Sequence, residues 1–474
     1  MASLTKRATI LIICRVFNYG VLALSPMFLV RIFDVHSYGQ YREFMLYAVL
    51  LAGIIEFTVN TNLIYFIPKY PGREGQSVTH TEFLILVAST IGLAAVYLLR
   101  GIILARTSYD FIAPLILFLF FNLNFEFFEN YWLGRKRIDY VLFYSSARVT
   151  VRTVALIVSA YLSRDVMTVI HTLIAVEMAK CLFVFIMLRK DLTFRIDRAL
   201  IKEQLRFILP LGSAVVINLV NNQLGNLVIS IKMGVERLAL YGIGSTQIPI
   251  LNIVSSSATD VLFPEMAQID DAPRLRLWQR ANVIFCFIVF PVYVVFFFYA
   301  HTVIETLFTK NYIAAVPLFR IYLTLILVQS FDMGTPLRTI NQNRYFILGS
   351  VLSLAANIGL LLMLFRQVGF ILPALAFVLG ESIKNVYLGS RILHFYRIKL
   401  GGLFLWRKIM MITCCAALAI PALIISTWID MNAVAKAMSF STLYLVAYYV
   451  VLRRFRLDEV ELIVEKVRKR FRRS

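Results

Sequence analysis

The chain has 474 residues, 60% of them apolar and 14% aromatic, and its mean hydropathy is +0.77. Long apolar blocks follow one another with short polar breaks, which excludes an ordinary soluble globule and predicts an all-α polytopic membrane protein. The formal charge of +21 invites a nucleic-acid reading, but the basic residues fall mainly in alternate loops, the pattern of the positive-inside rule, and no nucleic-acid partner is expected.

Apolar segments long enough to cross a bilayer number about fourteen. The first, Ala8–Val30, follows Lys6 and Arg7, contains Arg15 and Asn18, and shows no small-residue cleavage site, so it reads as a span and not as a signal peptide. Phe44–Ile67 carries Glu56, Phe83–Leu99 carries no charge, and Phe111–Leu133 carries Glu126 and Glu129. The fifth span, Val141–Leu162, places Arg148 and Arg152 four residues apart and therefore on one face. In the sixth, Val166–Leu188, Glu177 and Lys180 stand at (i, i+3), close enough to neutralise each other within the helix.

The seventh span, Leu205–Ile231, contains "VVINLVNNQLGNLVIS". Asn218, Asn222 and Asn226 form a stripe there, with Asn221 and Gly225 alongside. Amides in hydrocarbon need partners. Two readings stand: a wall that meets sugar hydroxyls, or helix–helix glue. The eighth span, Leu238–Phe263, ends near Asp260 and Glu265. Ala281–Tyr299 and Ala314–Thr335 follow, the latter with Arg320 and Asp332. Tyr345–Phe365 and Gly369–Ile392 come next, with Glu381 and Lys384 spaced like Glu177 and Lys180. Ile409–Ile429 and Ala433–Leu452 are the last two spans.

With a cytoplasmic N-terminus, Arg135–Lys136–Arg137, the basic stretch from Arg189 to Arg206, Arg391–Lys408 and the C-terminus all lie inside. The tail, residues 453–474, spaces Leu457, Val460, Val464, Val467 and Phe471 as an amphipathic helix for an anionic inner leaflet. Cys14, Cys181, Cys286, Cys414 and Cys415 lie in or at apolar segments without metal-ligand spacing, and the five histidines are scattered; no metal site, cofactor or catalytic residue is expected.

The chain also reads as doubled. Tyr38-Gly39 in "DVHSYGQY" pairs with Tyr241-Gly242 in "VERLALYGIG", and "EMAK" (Glu177–Lys180) pairs with "ESIK" (Glu381–Lys384), both at offsets of roughly 203–204 residues. This predicts a six-helix lobe over 1–190, a second over 191–395, two extra spans over 396–452, and the tail. An even number of spans gives the lobes a shared orientation, with the substrate path at their interface.

Several stretches carry a family resemblance: "FDVHSYGQY", "GVERLALYGIG", "VLFPEMAQ", "LFTKNYIAAVPLFRIY" and "VGFILPALAFVLGESI". In order and spacing the chain resembles the polysaccharide-transporter branch of the multidrug/oligosaccharidyl-lipid/polysaccharide exporter (MOP) superfamily, which includes the Wzx-type O-antigen flippases. The resemblance implies a V-shaped two-lobed fold in a bacterial inner membrane. It also implies translocation of polyprenyl-pyrophosphate-linked glycan between leaflets, alongside membrane lipids and with a polysaccharide polymerase or glycosyltransferases as candidate partners. Such proteins often carry an aspartate near the end of the seventh span; this chain has Asn226 there, so a coupling role is not carried over.

Intramembrane charges cost at least about 2.5–3.5 kcal/mol each on insertion scales and so face water or a partner. Arg15, Arg148 and Arg152 would suit a diphosphate, with Asn18 and the seventh-span amides beside them. The competing reading pairs these arginines with Glu126, Glu129 or Glu56. Glu56, Glu126, Glu129, Asp260 and Asp332 are the candidates for gating or coupling, with the coupling ion left open. A cation-coupled drug antiporter of the MATE type and an integral-membrane polymerase or glycosyltransferase are the alternatives. The chain's short external connections leave little room for a catalytic loop.

Overall fold

The computed structural model describes residues 2–103, 111–193, 197–246, 265–266 and 268–455, and every regular element among them is helical. Asp260, most of the expected eighth span and residues 456–474 of the tail lie outside the described residues. Ten helical stretches among the described residues are long and apolar enough to cross a membrane, or eleven if the bent pair Val35–Glu56 and Val59–Lys69 is one span. The protein is a multi-span membrane protein. Asn343–Phe395, one of those stretches, holds two helices that pack along each other.

The chain folds as two compact units, Met1–Gly242 and Ile243–Ser474. The first contains α1 (Ala2–Ile32), α2 (Val35–Glu56), α3 (Asn62–Lys69), α4 (Glu74–Leu98), α5 (Arg100–Ile103), α6 (Ile112–Leu123), α7 (Phe128–Gly134), α8 (Ile138–Ser163), α9 (Val166–Leu188), α10 (Arg198–Met233) and nearly all of α11 (Val235–Gly244). Helix α1 packs along α8, α8 along α9, and α9 against α6, while α2 packs on α6 and α10. The helix starts are capped as their sequences require: Asp34 accepts from the Ser37 amide at 2.9 Å, Asp165 from Thr168 at 2.8 Å, and Asp197 from Ala199 at 2.9 Å. Hydrogen bonds from Ser37 and Thr168 hold the Asp34 and Asp165 carboxyls below the usual carboxylate range. Gly39 lets α2 approach α11 so closely that a Cβ there would run into the Val235 carbonyl.

The second unit contains α12 (Asp271–Phe298), α13 (Ala300–Phe308), α14 (Val316–Gln329), α15 (Gly334–Thr339), α16 (Asn343–Val368), α17 (Leu372–Phe395), α18 (Trp406–Leu418), α19 (Pro421–Ile424) and α20 (Ala433–Arg453). Trp278, Cys286, Ile412, Cys415 and Tyr444 belong to its buried core. Buried polar groups there find backbone partners: Trp278 Nε1 donates to the Asp332 carbonyl at 2.7 Å, and the Tyr448 hydroxyl to that of Phe287 at 3.0 Å.

In the first unit, two expected spans depart from single helices. The second starts at Val35, before the expected Phe44, and breaks after Glu56, where Phe57 and Thr58 both take left-handed backbone (φ 46° and 63°) and the axis bends by 56°. Left-handed backbone is costly for a ring-bearing or β-branched residue, so tertiary contacts must hold it; the ring and carbonyl of Phe57 lie against Gly212 of α10, with no room for a Cβ. The fourth span breaks between Leu123 and Phe128, with Asn124 extended and Phe125 left-handed (φ 58°). Neither break contains Gly or Pro, which is why residue pattern alone predicts continuous helices there.

Candidate substrate site at two broken spans

A helix that stops inside a membrane leaves carbonyls and amides without their usual partners, and in hydrocarbon these must be met by protein. At the α6–α7 break they are met by side chains both distant in sequence and local. The Lys180 ammonium donates to the Asn122 carbonyl at 2.9 Å, the Cys181 thiol to that of Phe121 at 3.0 Å, and the Asn124 amide to that of Phe120 at 2.6 Å. Glu82 of α4 accepts from the Phe125 amide at 3.2 Å. At the other break, Asn130 donates to the Asn60 carbonyl at 3.0 Å.

The irregular turn between α6 and α7 carries Glu126, and this carboxylate starts a chain of charges. Arg148 Nη1 lies 2.6 Å from Glu126, Lys180 Nζ lies 3.1 Å from Glu126 and 3.0 Å from Glu177, and Arg152 Nη1 lies 3.3 Å from Glu177. The order is Arg148, Glu126, Lys180, Glu177, Arg152. Three cations alternate with two carboxylates, leaving one positive charge in excess. The middle is dry, with the Glu177 and Lys180 side chains 2% and 5% exposed; the ends are partly buried, with Arg148 and Arg152 at 20% and 24%. Pairing inside offsets the insertion cost of these groups, and the accessible ends remain able to meet a ligand.

Arg148 and Arg152 thus share one face of α8 as the spacing predicts, and both have carboxylate partners. Glu126 is among the partners considered for them; Glu177, the partner of Arg152, is not. Glu177 and Lys180 do pair with each other, but as links in a chain across three elements and not as a self-contained couple. In the second unit Glu381 and Lys384 are paired at 3.1 Å, and Ser353 donates to Glu381 at 2.9 Å.

Beside this chain, α1 lies along α8. Asn18 donates to Ser145 Oγ at 2.9 Å, Ser145 is hydrogen-bonded to Glu129, and Glu129 lies in the field of Arg148, Glu126 and Arg15. Arg15 itself is solvent-accessible on α1. Glu56, the last residue of α2 before its break, stands in the field of Glu126, Lys180 and Arg148, and its Oε1 is buried with no partner among the described residues. Arg15, Asn18, Glu56, Glu126, Glu129, Arg148 and Arg152 therefore belong to one region of the first unit.

The seventh-span amides all lie on α10, where they differ in burial and partners. Asn218 donates back to the Ala214 carbonyl at 2.8 Å, Asn226 donates to Gln223 at 3.1 Å, Asn221 is buried, and Asn222 is exposed. Asp332 lies in the second unit and caps α15, accepting from the Gly334 amide at 3.0 Å and the Thr335 amide at 3.3 Å. Sequence reasoning passed over Glu82 and Glu43. The latter is buried on α2 and accepts from Ser230 of α10 at 2.5 Å. The signal available for both was an acid within or beside an apolar run.

A family model described as "Polysaccharide biosynthesis protein" matches residues 28–317. The chain belongs to this polysaccharide biosynthesis family. Its fold is shared with solved MurJ and MATE structures. The lipid II flippase MurJ in an inward closed conformation matches with a TM-score of 0.72 at 12% identity, over 96% of this chain and all of that one. An inward-facing MATE family multidrug resistance transporter matches at 0.58 and 14% identity, over 81% of this chain and 95% of its own. A MOP superfamily transporter from Pyrococcus furiosus matches at 0.55 and 14% identity, over 83% and 96%. A comparison with curated protein sequences finds no match. This member of the polysaccharide biosynthesis family shares the fold of these structures and carries a chain of five charged groups at a broken span.

Proposed function

We propose that this protein is a flippase that carries a polyprenyl-pyrophosphate-linked oligosaccharide from the inner to the outer leaflet of a bacterial inner membrane, for surface polysaccharide such as O-antigen, capsule or exopolysaccharide. The observation that carries this reading is the charge chain with one positive charge in excess and an accessible guanidinium at each end. A diphosphate offers anionic oxygens that match such forks, and Arg15 adds a third. Asn18, Asn218, Asn221, Asn222 and Asn226 are assigned to the glycan, since an amide can both donate to and accept from a sugar hydroxyl. Family membership supports the polysaccharide, and likeness to a protein named as a lipid II flippase supports a lipid-linked substrate. Both termini are assigned to the cytoplasm, with glycosyltransferases acting before the flip and a polymerase after it.

The test is rescue of surface polysaccharide in cells deprived of their own flippase. Restored glycan export supports the reading. Drug resistance gained without restored polysaccharide would instead mark a MATE-type antiporter.

Glu56 supplies a means of coupling. Arg15 offsets Glu129, and Glu56 stands with Glu82 among the remaining acids near the chain: ionised, Glu56 offsets one positive charge; protonated, it leaves that charge to hold a diphosphate. Substrate binding and proton uptake at Glu56 are then linked, each favouring the other. Glu56→Gln should keep the protein folded, slow export, and flatten the dependence of export on pH in vesicles. A variant that retained the wild-type pH profile would remove Glu56 from the cycle.

A further inference from the structure

Beside the charge chain, side chains of α8 and α9 line a groove of about 620 Å3, with α7 at one end. Tyr140, Tyr144 and Arg148 follow one another along α8 at every fourth residue, with Phe143, Ala147 and Val151 as a parallel row. Helix α9 contributes Thr172, Ala175, Val176, Phe183 and Met187 to the opposite wall, and α7 contributes Phe128 and Trp132. From Met187 to Thr172 the wall is 15 residues long, roughly 22 Å at a helical rise of 1.5 Å per residue. Phe143, Val151 and Phe183 are exposed, and on a spanning helix such apolar exposure faces lipid.

Three features separate this groove from ordinary lipid-facing surface. Its rings are ordered against each other: Trp132 stacks on Tyr140 at 4.2 Å, and Phe128 meets Tyr144 edge-on at 4.7 Å. Two buried donors at its α7 end, the Trp132 indole Nε1 and the Tyr144 hydroxyl, have no hydrogen-bond partner among the described residues; in hydrocarbon such groups are costly unless a ligand meets them. Finally, Arg148 and Lys180, members of the charge chain, also form part of its wall.

We infer that this groove is the lateral docking site of the lipid carrier, with the isoprenoid chain along the α8–α9 wall and a phosphate oxygen against Trp132 and Tyr144. The inference rests on the flippase reading and deepens it. A diphosphate held at Tyr144 sits one helical turn from Arg148, so the head passes to the arginines while the chain stays in the groove and never leaves the bilayer. The cation-bearing loop beside the α7 end, where Arg137 lies over the Tyr140 ring at 4.6 Å, places the phosphate end at one membrane surface. An anionic head and an apolar chain on one molecule match a groove with open donors and rings at its α7 end, cations midway along it and small or aliphatic side chains beyond.

The test is photolabelling of the full-length protein in vesicles with a polyprenyl diphosphate carrying a diazirine in its chain, followed by mapping of the labelled peptides. Labels should fall on α8 and α9 between Phe143 and Val151 and between Thr172 and Met187. Ala175→Trp, which fills the groove, should reduce both labelling and export by about tenfold or more, a change of about 1.4 kcal/mol, whereas Leu162→Trp, at an exposed α8 position outside the groove, should change neither. Trp132→Phe with Tyr144→Phe keeps the ring volume and should weaken labelling by the diphosphate more than by the corresponding polyprenyl alcohol. Equal labelling of the groove by a diazirine-bearing phosphatidylglycerol would overturn the inference and make the groove a seat for bulk lipid. Groove labelling that persists while arginine variants export normally would instead sink the arginine site. An unlabelled groove in a protein whose arginine variants are inactive would sink the inference alone.

Discussion

Arg148→Gln and Arg152→Gln will each abolish most glycan export while leaving folded protein at its normal level in the membrane. The two arginines are the ends of the chain, and the middle stays neutralised without either of them. When Arg148 is lost, Glu126 keeps Lys180 at 3.1 Å; when Arg152 is lost, Glu177 keeps Lys180 at 3.0 Å. Either change leaves two cations facing two carboxylates, so the interior remains balanced and the surplus charge disappears. A charge-assisted hydrogen bond contributes about 1.5–3 kcal/mol, which places the loss of export between roughly tenfold and a hundredfold for each arginine. Surface polysaccharide measures export, and membrane level with thermal melting in detergent measures folding. Normal export at normal level would remove the arginines from the substrate path. A loss that merely followed protein level would assign them to structure. Pairing Arg148→Gln with Glu126→Gln separates charge from fork: the double variant keeps one surplus positive charge but lacks the Arg148 guanidinium, and it should melt close to wild type and still fail to export.

Much of this was legible in the sequence, for a physical reason. A span must be long and apolar, and an intramembrane charge is conspicuous because hydrocarbon tolerates so few. The all-α multi-span architecture and the grouping of Arg148 and Arg152 on one face followed from those rules, and the family from the resemblance of stretches such as "FDVHSYGQY" and "GVERLALYGIG". The breaks after Glu56 and Leu123 did not. They contain no Gly or Pro, and what sustains them is supplied by Lys180, Cys181 and Asn130, which meet the freed carbonyls of Asn122, Phe121 and Asn60. The same gap explains Glu177: its (i, i+3) spacing to Lys180 points to a local pair, and only the fold brings Arg152 and, through Lys180, Glu126 to it. Asn218 is a smaller case, since periodicity gives its face of α10 but not that its amide turns back to the Ala214 carbonyl.

The largest loss of stability should come from a carboxylate of the chain, not from its central cation. Glu177→Ala strips Arg152 of its carboxylate partner and leaves Lys180 and Arg148 both drawing on Glu126, with an unbalanced charge in the driest part of the site. Breaking a buried ion pair by removing one partner costs about 3–5 kcal/mol. Lys180→Met removes the most central group but leaves Glu126 with Arg148 at 2.6 Å and Glu177 with Arg152 at 3.3 Å. Its cost is mainly the exposed polarity of the Asn122 carbonyl at the α6–α7 break, about 1–3 kcal/mol for a buried group left unsatisfied. Thermal melting in detergent should therefore rank Glu177→Ala below Lys180→Met, and Glu177→Gln combined with Arg152→Gln should recover much of the difference. A reversed order would mean that Lys180, and not the alternation of charges, holds the break together. The excess positive charge would then be incidental to folding and would no longer support an anionic substrate.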